Sequence, residues 1–213
     1  MTAKRILVLG ATGGTGRAVV SRALQTGHLV TALVRDPARL AIRSDQLRVI
    51  AGDATRDDAA LQDAVRGQDA VISALGRGKS FKSQGVIEGS MRHVVRAMEM
   101  EHVQRLVFTS AFGVGVTFRD APFVPRIFIR TLLRDVYRDK LAGEALLRAS
   151  NLDWTLVYPT GLTDSPATGR YRDGERLPLR GFPTISRADV ADFLVRQVDD
   201  RRYSKKGVLI SSE

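Results

Sequence analysis

The residues Gly10-Ala11-Thr12-Gly13-Gly14-Thr15-Gly16 put glycine at every third position, directly after the apolar run Arg5–Leu9 and before the helical pattern Thr15–Gln25. A loop bare of side chains at the start of a helix lets backbone N–H groups approach a phosphate, and the positive end of the helix dipole favours the anion. Gly10 suits the tight turn, Gly13 the approach of a pyrophosphate, and Gly16 the close packing of helix on strand. A second apolar run, Leu29–Val34, follows within about 30 residues, the strand–helix–strand context that a dinucleotide fingerprint requires.

The residue ending that second run selects the cofactor. Arg35 stands where an NAD site carries its acidic residue, and Arg39 follows one helical turn later. Two guanidiniums suit a doubly charged 2′-phosphate, so the reading is NADPH in preference to NADH. Asp36 is the counter-signal: either it binds a ribose 2′-hydroxyl, or it caps a short Pro37–Leu40 helix with Pro at the first position. Asp53, in Gly52-Asp53-Ala54, either accepts from an adenine amino group or forms a turn. Ala74-Leu75-Gly76 suits a dinucleotide lying across strand ends, and equally a plain loop.

These positions need a frame, and the chain alternates short apolar runs with amphipathic stretches. Runs at Arg5–Leu9, Leu29–Val34, Leu47–Ala51, Ala70–Ala74, Leu106–Thr109, Thr155–Tyr158 and Val208–Ile210 predict strands. Helices are predicted over Thr15–Gln25, Asp58–Val65, Gln84–Met100, Pro125–Ala149 and Arg187–Val198. Asp57 precedes one helical pattern, and Ser186-Arg187-Ala188-Asp189 reads as a capping box before another. The alternation predicts an α/β fold: a single Rossmann-like domain over residues 1–213, with a doubly wound, mainly parallel sheet and helices on both faces. Residues 111–125 and 159–183 are expected to form loops on the substrate side, the second as a loop plus a hairpin.

Composition narrows the chemistry. The chain of 213 residues has no cysteine, which excludes disulfides, thiolate metal sites and a cysteine nucleophile. No apolar run reaches the roughly 18–20 residues of a membrane helix, and the first residues read as a strand rather than a secretory signal, so the expected location is cytoplasmic. His28, His93 and His102 lack metal-ligand spacing, and no metal is expected. The net charge of +10 either attracts polyanions, anionic cofactors among them, or is a solvated basic surface.

Taken together, Gly10–Gly16, Leu33-Val34-Arg35-Asp36, Gly52-Asp53, Gln68-Asp69-Ala70-Val71-Ile72 and Thr109-Ser110-Ala111-Phe112 resemble the atypical short-chain dehydrogenase/reductases. The resemblance is to the NmrA-like NAD(P)H-binding proteins, nearest the NADPH-dependent flavin reductase/biliverdin reductase B type. It continues through Leu147–Thr155, Thr168-Gly169-Arg170-Tyr171 and Ile185–Val190, and so covers nearly the whole chain. It implies Arg35 and Arg39 on the 2′-phosphate, and Gly10, Thr12, Gly13, Gly14 and Thr15 on the pyrophosphate and adjoining ribose. Asp53 and Ala54 would meet the adenine, Leu75 and Gly76 the middle of the cofactor, and Pro159 the nicotinamide. Ser110 matches the position facing nicotinamide and substrate.

The chain also departs from that pattern. Typical members use a Tyr-x-x-x-Lys helix as proton donor and ribose anchor; here Val136 stands four before Lys140, and Tyr137 only three before. Thr160 replaces a histidine of the flavin-reductase type. Without a well-placed acid, reduction of a flavin, quinone or similar conjugated small-molecule acceptor fits better than ketone reduction. In that reading Ser110 donates a hydrogen bond to the acceptor and Lys140 organises the ribose. Ser110 is otherwise a satisfied strand-end hydroxyl, and Lys140 a surface lysine paired with Glu144. Phe112, Tyr158 and Leu162 form a stacking wall or pack in the core.

Arg126, Arg130, Arg134 and Arg138 recur every four residues among apolar side chains. Such a helix either turns its apolar face to the core or offers a basic docking face. The second possibility supports an alternative function, a non-catalytic NADPH-sensing regulator of the NmrA type. No nucleic acid partner is expected.

Overall fold

The structure, a computed structural model, describes residues 2–76, 85–115 and 134–213. The chain opens with β1 (Arg5–Leu9), α1 (Gly14–Gln25), β2 (Leu29–Val34), a 3-10 turn (Pro37–Arg39) and β3 (Leu47–Ala51). There follow α2 (Asp58–Val65), β4 (Ala70–Ser73), α3 (Val86–Met100), β5 (Arg105–Thr109), α4 (Arg134–Ala149) and β6 (Asp153–Pro159). The last part holds β7 (Gly161–Thr163), β8 (Tyr171–Gly174), β9 (Thr184–Ser186), α5 (Arg187–Arg196) and β10 (Lys206–Ser212).

Eight strands form one sheet in the order β3-β2-β1-β4-β5-β6-β10-β8. Every pairing in it is parallel except that of β8 with β10. The central strands are apolar at nearly every position because both of their sides are covered. Ile6 and Val8 of β1 join a core with Val19, Val20 and Ala23 of α1 and Val190, Phe193 and Leu194 of α5. Leu7 and Leu9 face the other way, into a core with Leu61 of α2, Met91 and Val94 of α3, and Leu147 of α4. The predicted doubly wound α/β arrangement is therefore present.

The 159–183 segment corrects one expectation. It holds no hairpin: β7 pairs in parallel with β9 as a separate two-stranded sheet, and β8 joins the edge of the main sheet. The buried Asp189 of α5 ties this region down. Its carboxylate accepts from Thr168 N (3.0 Å), Gly169 N (2.8 Å) and Ser186 Oγ (2.8 Å), while Ser186 Oγ accepts from Asp189 N at 3.0 Å. Burial pushes the Asp189 carboxyl up, but the N–H and O–H donors outweigh it and hold it below the usual carboxylate range. The capping box is thus half a cap and half a clamp on a distant turn.

Of the basic stripe, Arg126 and Arg130 lie outside the described residues, as does the predicted helix start at Pro125. Gln84 also lies outside, and α3 begins at Val86 after Gly85. Among the described residues no helix is long and apolar enough to cross a membrane.

Candidate functional site

The glycine loop joins the end of β1 to the first turn of α1. Gly10 has φ +79°, and a Cβ there would lie 2.6 Å from the carbonyl oxygen of Ala74, so the turn requires both glycine's conformational freedom and its lack of a side chain. A Cβ on Gly16 would lie 2.0 Å from the carbonyl oxygen of Gly10, which lets α1 seat directly on the loop. Gly13 N donates to Gly10 O at 2.9 Å, and Gly13 is the N-cap of α1 with no side-chain cap on the first turn. The free amides of that turn face the carboxyl edge of the sheet, where an anion would satisfy them.

Arg35 and Arg39 follow β2 at the same edge, both exposed. Between them Asp36 takes up the cap reading: its Oδ1 accepts from Ala38 N at 3.0 Å, with Pro37 at the first helical position. Asp53, just past β3, forms a turn in which Oδ1 accepts from Thr55 N (3.1 Å) and Thr55 Oγ1 (2.8 Å). Burial raises the Asp53 carboxyl, but those donors and the charges of Arg56 and Arg35 leave it lowered overall. Arg35 therefore stands close enough to Asp53 for their charges to be felt. Ala54 and Leu75 are half-buried, packed against the core, and Gly76 is exposed with nothing within 4 Å of an added Cβ. The donor set, helix-terminal amides and two solvent-facing guanidiniums, fits a phosphorylated dinucleotide.

The other half of the edge is built from β5, β6 and α4. Asp139 fixes α4 by capping α3, its carboxylate accepting from Ile87 N (3.1 Å) and Glu88 N (2.8 Å). Gly143 brings the two helices together, since a Cβ there would lie 2.9 Å from Ile87 Cγ2. Lys140 and Glu144, one turn apart, then reach the strand ends. Glu144 is 1% exposed, and Ser110 Oγ donates to its Oε1 at 2.6 Å. Tyr158 OH donates to Oε2 at 2.8 Å and accepts from Arg148 Nη2 at 3.2 Å. Lys140 Nζ donates to the carbonyl of Thr109 at 3.3 Å and lies 5.9 Å from the centroid of the Phe108 ring. Burial pulls its ammonium down to about 8, against the attraction of Glu144 and Asp139.

Three sequence expectations change here. Ser110 is not oriented as a donor to an acceptor molecule: its single proton is directed at Glu144. Lys140 is no surface lysine, and its hydrogen bond goes to Thr109 rather than Glu144. Tyr158, 1% exposed, belongs to the core and not to a substrate wall, its ring lying where a side chain on Gly207 of β10 would collide with it. Leu162 is 38% exposed on β7, and Phe112 is half-buried against the core. Pro159 is buried at the end of β6, where its carbonyl accepts from Phe112 N at 3.0 Å. Thr160 is buried beside it, its hydroxyl 3.4 Å from Ser211 Oγ. The off-register Tyr137 spends its phenol on the carbonyl of Phe112, at 2.9 Å.

Glu144 escaped sequence reasoning as a site residue because its partners come from strands distant in the chain; its spacing four after Lys140 was the one available signal.

Comparison with known proteins agrees with this geometry. Residues 10–201 match the model of a family described as NAD(P)H-binding. The chain is 30% identical to an oxidoreductase, stcQ, of Emericella nidulans, over 95% of this chain and 81% of that protein. It is 48% identical to the (4-alkanoyl-5-oxo-2,5-dihydrofuran-3-yl)methyl phosphate reductase of Streptomyces griseus, over 72% of this chain and 46% of that protein. Its fold resembles that of a short-chain dehydrogenase/reductase from Veillonella parvula solved in complex with NADP, with a TM-score of 0.82 at 20% identity, covering 98% and 94% of the two chains. With the glycine loop at its head, the chain belongs to the NAD(P)H-binding family.

Proposed function

We propose that the protein is an NADPH-dependent reductase acting on a small acceptor with an extended conjugated system, such as a flavin, a quinone or an enone. The observation that carries this reading is the fate of the tyrosines beside Lys140. Tyr137 donates to a loop carbonyl and Tyr158 to Glu144, so neither is free to protonate a developing alkoxide. A conjugated acceptor needs no such acid, because the charge it gains is delocalised and its proton can come from water. Hydride donation to the acceptor is the chemistry that a nicotinamide held here would supply. The chain's own residues bind and orient the pair.

In this reading Arg35 and Arg39 hold the 2′-phosphate and set the preference for NADPH over NADH, and Gly10, Thr12, Gly13, Gly14 and Thr15 hold the pyrophosphate and its ribose. Asp53, Ala54, Leu75, Gly76 and Pro159 line the rest of the dinucleotide. Lys140 has two protons beyond the one given to Thr109, and these anchor the nicotinamide ribose. Ser110 acts as a positioning group, held by Glu144, and Phe112 and Leu162 offer apolar contact to the acceptor. The Streptomyces relative favours the same acceptor class, since the compound in its name carries a ring double bond conjugated to carbonyl groups.

The test is to mix the protein with NADPH and a panel of flavins, quinones and enones and to follow the near-ultraviolet absorbance that distinguishes reduced from oxidised nicotinamide. Turnover with at least one class is expected. Tight NADPH binding with no oxidation across the panel would sink the reductase and favour a cofactor-sensing regulator.

A further inference from the structure

Gly14 occupies a position that the glycine spacing leaves free, so the loop alone does not explain it. The explanation lies across the site. A Cβ on Gly14 would stand 2.9 Å from both Cδ and Nε of Arg187, which therefore lies over the first turn of α1. Arg187 opens α5, and α5 runs beside α1 in the same direction: Arg187 meets Gly14 at their starts, and Asp192 meets Arg22 Nε further on at 2.9 Å. Both helix N-termini thus face the carboxyl edge, with one guanidinium between them.

Electrostatically that placement is unfavourable without an anion, because a cation sits at the positive ends of two helix dipoles. Within the protein its counterion is Asp164, whose Oδ1 accepts from Nη1 at 2.7 Å; the Arg187 side chain is 28% exposed and that of Asp164 89%. An ion pair so open to water contributes little stability. It does hold the guanidinium in position over the glycine loop.

We propose that Arg187 is a third cofactor-binding arginine, one that binds the diphosphate of the dinucleotide together with the amides of the glycine loop. Asp164 is its resting partner, giving it up when the diphosphate arrives. This rests on the NAD(P)H-binding reading, and it assigns Arg187 a target that Arg35 and Arg39 do not share. NADPH and NADH both carry the diphosphate, whereas only NADPH carries the 2′-phosphate.

The experiment is calorimetric titration of the wild type, Arg187→Ala and Asp164→Asn with NADPH, NADH and 2′-AMP, which has the 2′-phosphate but no diphosphate. Arg187→Ala is expected to weaken NADPH and NADH by the same factor, about tenfold or more for a charge-assisted contact, and to leave 2′-AMP unchanged. Asp164→Asn is expected to keep or raise dinucleotide affinity, since a competing carboxylate is gone. Arg187→Gln, which retains a stem over Gly14, is the companion variant should the alanine form fold poorly, and the same pattern is expected of it. Unchanged dinucleotide binding in a wild type that binds NADPH overturns the assignment and spares the cofactor reading. Weakening confined to NADPH moves Arg187 to the 2′-phosphate and overturns it too, as does an equal loss in Asp164→Asn and Arg187→Ala. A wild type that takes up no dinucleotide removes both.

Discussion

At the amino edge of the sheet Arg105 begins β5 with 1% of its surface exposed, while at the carboxyl edge Arg35 and Arg39 follow β2, both exposed. The donors of Arg105 are taken up within the protein. Nε and Nη2 reach the carbonyl of Gln197 (2.9 and 2.6 Å), Nη1 reaches Asp153 O and Oδ1 (3.1 and 3.3 Å), and Nη2 also reaches Thr155 Oγ1 (2.8 Å). One side chain thereby stitches the end of α5 to the start of β6. Burial brings its guanidinium down to about 10, even with Asp153 opposing the shift. Among the described residues Arg35 has no such set of partners. The same side chain ties the fold together where its donors are consumed and stays open to solvent, as the proposed cofactor role requires, where they are left over.

That contrast can be broken by substitution. The largest effect is expected for Arg105→Met, which strands the Gln197 carbonyl in the interior and removes a buried charge with its hydrogen bonds; stability should fall by about 3–5 kcal/mol in urea unfolding. Cofactor affinity of whatever remains folded should be unaltered, and a weakened NADPH site with intact stability would reverse the roles assigned to the two edges.

Arg35→Ala should do the opposite. Loss of a charge-assisted contact to the 2′-phosphate is expected to cost about 2 kcal/mol of NADPH binding and much less of NADH binding, while unfolding shifts by no more than about 0.5 kcal/mol. Equal loss for both coenzymes, read by fluorescence titration, would falsify the 2′-phosphate assignment.

The smallest effect belongs to Lys140, which lies between the extremes, partly buried with donors to spare. Its ammonium titrates near 8 in the folded protein against 10.5 for an ordinary lysine. Between those values the unfolded chain binds the proton and the folded one does not, so wild-type stability rises with pH there. Relative to Lys140→Met, the wild type should gain about 1–2 kcal/mol from pH 8 to 10.5, after discounting for partial exposure. A flat difference across that window would show the ammonium to be well solvated.

How much of this was legible in the chain depends on the distance over which each feature is set. The strands beginning at Arg5, Leu29 and Leu47 were readable to the residue, because continuous apolar runs bounded by turns leave few alternatives. So were the caps at Asp36 and Asp57, which join neighbours: Asp57 Oδ1 accepts from Ala60 N at 3.0 Å. Arg105 was not readable as the first residue of a strand, because its partners lie on α5 and β6. The 159–183 region misled because β7 pairs with β9, which lies past its end, and β8 pairs with β10, and local spacing resembles a hairpin whichever partner is chosen.

Local sequence was enough to determine the glycine loop at the start of α1, the alternation of strands and helices, and the arginines after β2, since these depend on backbone sterics and periodicity over a few residues. Only the assembled sheet decided that Tyr158 turns inward to Glu144, that the proton of Ser110 is already committed, and that Arg187 comes to rest on Gly14. Those outcomes depend on which strand lies beside which and on the room one glycine leaves for a side chain from another element. Packing settles such matters, and no stretch of neighbouring residues contains them.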